Sequence, residues 1–94
     1  MSLATRTYAS VTLGAVLSCE TVAPSTDGLQ PLQHSSDDVL LRVIDGVVEM
    51  TLENERRPRL LQPGEEAIIP AGLAHRLAGS GGDARFLVGY RAAA

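Results

Sequence analysis

Two histidines and a pair of neighbouring aspartates carry most of the reactive chemistry in this chain of 94 residues: His34, His75, Asp37 and Asp38. Histidine titrates near neutral pH and is a common nitrogen ligand for metals, so the set suggests two chemistries. Two imidazoles and a carboxylate can hold a divalent ion in a two-histidine, one-carboxylate arrangement. Alternatively, one imidazole can act as a general base without metal. A third reactive group, Cys19, is the single cysteine, which excludes an internal disulfide framework. In an apolar stretch such a thiol reads as a small buried hydrophobe. The plain reading of Asp37 and Asp38, beside Ser35 and Ser36, is a solvated loop.

These residues must be positioned by strands. Short stretches rich in Val, Leu, Ile and Thr recur between clusters of Gly, Pro, Asp and Asn, and helical periodicity is missing. Residues 5–12 and 15–22 read as the first strands, ended by the turn cluster at 23–28. Residues 29–34 are extended but irregular. Residues 39–44 form a strongly apolar strand, and Asp45-Gly46 predicts a two-residue type I′ hairpin into 47–53. In that return strand Val48, Met50 and Leu52 alternate with Val47, Glu49, Thr51 and Glu53, the pattern of a half-buried strand. Pro58 suits an edge strand over 56–61. Shorter strands follow at 66–69, 74–78 and 85–91, giving roughly eight in all.

Eight arginines, no lysine and eleven carboxylates give a net charge of −3 with no basic stripe to follow a phosphate backbone, so nucleic acid is not an expected partner. No apolar run approaches the ~20 residues of a membrane-spanning helix. Val16-Leu17-Ser18-Cys19 faintly resembles a lipoprotein cleavage box. Only Arg6 charges the segment before it, however, and cleavage there would remove two strands. The expectation is a cytoplasmic protein with one domain over residues 1–94. Its small core would gain from self-association, so a homodimer is expected.

The segment from Gly64 to His75, GEEAIIPAGLAH, resembles the second motif of the cupin family, G-x5-P-x-G-x2-H-x3-N. Gly64, Pro70, Gly72 and His75 all fall in place, and Gly79 stands at the final asparagine. Gly64 and Gly72 permit the backbone turns that the motif needs. The first motif, G-x5-H-x-H-x3,4-E-x6-G, can be anchored on Gly46. Counting back puts its glutamate at Val39 and, with four spacer residues, its histidines at Leu32 and His34.

The resemblance implies an all-β fold, a small antiparallel barrel of jelly-roll type. A metal-binding cupin would carry three histidines and one glutamate around iron, manganese, zinc or nickel, and here only His34 and His75 remain as candidate ligands. A one-residue bulge before Val39 would bring Asp38 to the glutamate position. The favoured expectation is a barrel without a full metal cage that binds a small molecule in a mostly apolar pocket. Alternation places Val39, Leu41, Val43, Met50, Ile69, His75 and Leu77 on that pocket, with His34. The alternatives are a metal-dependent dioxygenase or isomerase using His34 and His75, metal-free catalysis by a histidine, and a module that acts by dimerising through outward Leu40, Ile44 and Ile68. Arg42 should face outward, Phe86 and Tyr90 share parity on the last strand, and Arg56, Arg57 and Arg59 should form a charged surface with Glu53 and Glu55.

Overall fold

The computed structural model describes residues 17–24 and 31–92. Seven strands appear among them: β1 (Ser18–Val22), β2 (Asp38–Asp45), β3 (Val48–Leu52), β4 (Arg59–Leu61), β5 (Glu66–Ile69), β6 (His75–Gly79) and β7 (Ala84–Arg91). The expected first strand, 5–12, lies outside the described residues. Among the described residues no helix is long and apolar enough to cross a membrane.

The strands form two antiparallel sheets, one in the order β1-β7-β2-β5 and the other β4-β3-β6. Among the described residues only β3 and β4 are joined as a hairpin; the links β2–β3, β4–β5, β5–β6 and β6–β7 each cross between sheets. The core lies between the two sheets. Val39, Leu41 and Val43 of β2 meet Val48, Met50 and Leu52 of β3, with Leu61, Ile69, Phe86 and Val88 around them. This is the period-2 alternation of the sequence turned into one continuous apolar layer.

Asp45-Gly46 is not the expected hairpin. β2 pairs with β5 and β7 whereas β3 pairs with β4 and β6, so this turn carries the chain from one sheet to the other. Gly46 has φ +74° but no described non-glycine residue has positive φ, so Asp45 does not take the conformation that a type I′ turn requires. Gly46 is needed for a second reason: a Cβ there would lie 2.5 Å from the carbonyl oxygen of Asp83. Immediately before the turn, the β2–β7 register slips between Val43 and Asp45. Ile44 is the extra residue of this bulge and is 41% exposed.

On the outer side of β2, Arg42 is opposite Glu66 and Leu40 is opposite Ile68 and Gly89. Leu40 was expected to be an exposed apolar residue. It is instead fully buried, and Ile68 is half-buried.

Candidate functional site

His75 opens β6 directly after the turn made by Pro70-Ala71-Gly72, where Gly72 has φ +83° and Leu73 donates its N–H to the Pro70 carbonyl. Across from it runs the extended segment before β2. Gln33 and His75 exchange both backbone hydrogen bonds, at 2.8 and 2.7 Å. Directly paired residues of this kind point their side chains to the same face, and the next residue along points to the other. Gln33 therefore shares the face of His75, and His34, which is exposed, is turned away.

Beneath this pair is a cavity of about 440 Å³. Its floor is apolar, made by Val22, Val39, Leu77, Phe86 and Val88, and its rim carries Glu20, Gln33, His75, Arg76 and Tyr90. The floor residues are the inward positions of β1, β2, β6 and β7, and Glu20 reaches the rim because it pairs with Phe86. Tyr90, opposite Val39 at the end of β7, is 58% exposed. The His75 ring is held from behind: its Nδ1 lies 3.2 Å from the Leu73 carbonyl oxygen.

Of the residues assigned to the pocket from sequence, Val39, His75 and Leu77 line this cavity. Leu41, Val43 and Ile69 lie in the closed core instead, packed too tightly to present a wall. Met50 belongs to a second hollow of about 380 Å³ at the other side of the barrel, with Leu52, Leu61 and Leu73. His34 lines only a third hollow, shared with Gln33, Ser35, Ser36, Val39, His75 and Tyr90. Sequence reading missed Glu20, Gln33 and Arg76. The signal for Gln33 was available: with three spacer residues rather than four, the first motif places its histidines at Gln33 and Ser35 and its glutamate still at Val39. Choosing the spacing that retained a histidine led to His34.

The bulge that would have rescued a carboxylate ligand is absent. Asp38 pairs with Arg91 and Val39 with Tyr90 in unbroken register, and the slip lies at the far end of β2. The Asp38 side chain is committed elsewhere: it accepts from the Ala71 N–H at 2.9 Å and from Arg91 Nη2 at 3.0 Å. The Ala71 hydrogen bond foremost, and then Arg91, hold its carboxyl below the ordinary aspartate range.

These residues do not fit a three-histidine, one-glutamate cage. The chain has two histidines in all, and Val39 offers a hydrocarbon where the carboxylate would stand. Among the described residues no group of three or more His, Cys, Asp or Glu side chains is gathered closely enough to hold an ion.

Two packed antiparallel sheets linked by crossings between them, with an open cavity at one mouth, define a small double-stranded β-helix barrel. The chain belongs to the cupin family: the family model described as "Cupin domain" matches residues 18–90. No curated protein matches it. Among solved structures it is similar to the polyketide cyclase RemF from Streptomyces resistomycificus, at 28% identity and a TM-score of 0.66 over 81% of this chain and 53% of that one. It is also similar to a cupin family protein with a double-stranded β-helix fold from Methanocaldococcus jannaschii, at 17% identity and a TM-score of 0.59 over 81% and 79%. A third is the hydroxypropylphosphonic acid epoxidase from S. wedmorenis, in complex with fosfomycin, at 17% and 0.68 over 82% and 43%. The chain thus spans about half the length of the cyclase and less of the epoxidase; the two likenesses at 17% identity speak to fold alone.

Proposed function

We propose that this cupin binds a small, largely apolar organic molecule in the cavity beneath Gln33 and His75, without a structural or catalytic metal cage. The observation that carries the reading is Val39, whose side chain forms cavity wall at the position of the family's glutamate ligand. A cavity with an apolar floor and a few convergent polar groups has the usual make-up of a small-molecule site. Phe86 and Val88 widen the floor, and Gln33, His75 and Tyr90 at the rim offer hydrogen-bonding groups that orient a ligand. The likeness to a polyketide cyclase supports an organic occupant. A metal-dependent dioxygenase or isomerase using His34 and His75 is disfavoured because its third ligand, Asp38, is held by Ala71 and Arg91.

Elemental analysis of the gently purified protein tests the absence of a cage, with iron, manganese, zinc and nickel all expected well below one equivalent. Near-stoichiometric metal that is lost in His75→Ala rejects the reading. In parallel, a naphthalene probe titrated into labelled protein is expected to shift the amide resonances of Val39, Leu77, Phe86 and Val88 in a saturable way.

A further inference from the structure

We propose that the occupant of this cavity presents a hydroxyl group to Nε2 of His75, which makes the ligand class a compact, uncharged alcohol or phenol. The inference rests on the reading that the cavity holds a small apolar molecule, and adds to it the polarity of the hydrogen bond at its rim. The Nδ1 of His75 lies 3.2 Å from the carbonyl oxygen of Leu73. A carbonyl oxygen can only accept, so Nδ1 carries the proton, and in neutral imidazole the other nitrogen is then a bare acceptor. No donor from the described residues reaches Nε2. The ring is held by the carbonyl of the turn just before β6, and a residue that lines the cavity is left with one open lone pair.

The surroundings decide which donors suit it. Val22, Val39, Leu77, Phe86 and Val88 favour a hydrocarbon or aromatic body. A carboxylate would bring only acceptors, facing both the Nε2 lone pair and the Glu20 carboxylate on the rim. An ammonium group would give up its hydration against the apolar floor. A hydroxyl supplies the donor without either cost. Phe86 and Tyr90 add two aromatic rings to the wall, which suits a flat ligand body.

Matched probes on the intact chain test this. 2-Naphthol, 2-methoxynaphthalene and 2-naphthoate share one ring system and differ in donating, only accepting, or carrying negative charge. Titrations followed by calorimetry or amide shifts should show 2-naphthol binding about 3- to 10-fold tighter than the methyl ether, the range of one neutral hydrogen bond. The preference should vanish in His75→Phe, which keeps a ring but has no acceptor, and return in His75→Gln, whose amide oxygen accepts. Thermal melts establish that each variant folds; should His75→Phe fail to fold, the matched pair on the unmodified protein still decides. Equal binding of naphthol and its ether, tightest binding of the naphthoate, or a preference that persists in His75→Phe overturns the hydrogen-bond assignment while leaving the cavity reading intact. Failure of all three probes to bind overturns the cavity reading and this inference with it.

Discussion

The carboxylate of Glu66 is 3% exposed, its Oε2 has no hydrogen-bond partner, and Nε of Arg42 across the strand pair stands 3.7 Å away. Burial pushes its pKa up, and the Arg42 charge only partly offsets this. A carboxyl whose folded value is raised takes up its proton more readily in the folded state. Its contribution is therefore full below the unfolded value of 4.5 and is lost as pH rises through the folded one. Glu66→Gln removes the charge and should raise stability at pH 7 by roughly 1 kcal/mol, with a flatter dependence above pH 4.5, as read by urea unfolding at several pH values. Asp38 has the opposite sign. Its lowered value stabilises the fold above pH 3.8, and that contribution disappears as pH falls through the folded value, so Asp38→Asn should remove part of the acid-side loss of stability in the same series. Neither effect was visible in the sequence, where Glu66 read as the first residue of a short strand and Asp38 as a solvated loop residue. Register against Arg42 and Arg91 gives them their environments.

At the scale of elements, the strands themselves were legible because alternation is a local property. Residues 66–69 were delimited as observed, and Val39, Leu41, Val43, Val48, Met50 and Leu52 all face inward. Which strand pairs with which was not legible, since a turn such as Asp45-Gly46 reads alike whether it closes a hairpin or crosses between sheets. Gly79 shows the same limit. It stands at the family's asparagine, yet a Cβ there would lie 2.0 Å from the Gly82 carbonyl oxygen and 3.3 Å from that of Val22. Restoring the asparagine, Gly79→Asn, should therefore destabilise the protein by more than about 2 kcal/mol, because backbone rather than a flexible side chain must move; a lower thermal midpoint would report it. Register in the segment before β2 leads to a constructive prediction as well. Gln33→His, Ser35→His and Val39→Glu combined should gather a cage around His75 and yield about one equivalent of zinc by elemental analysis, whereas Leu32→His with Val39→Glu should not.

For the whole molecule, we propose that self-association uses the strands that, among the described residues, end the sheets with an unpaired side, β1, β5 and β4, together with exposed Leu60 on β4 and Ile44 in the bulge. Sedimentation at micromolar concentration is expected to show a dimer, and a strictly monomeric mass would remove the proposal. The crossing connections have a kinetic consequence. Among the described strands β3–β4 is the one pair able to zip up locally, and β2 finds its neighbours only after β5 and β7 have been brought back across the barrel. Loop closure must be paid before those pairings reward it, so refolding from urea should take milliseconds to seconds rather than microseconds in stopped-flow experiments. Until then the apolar faces of β2 and β3 remain uncovered, and the yield of native protein should fall as chain concentration rises during refolding.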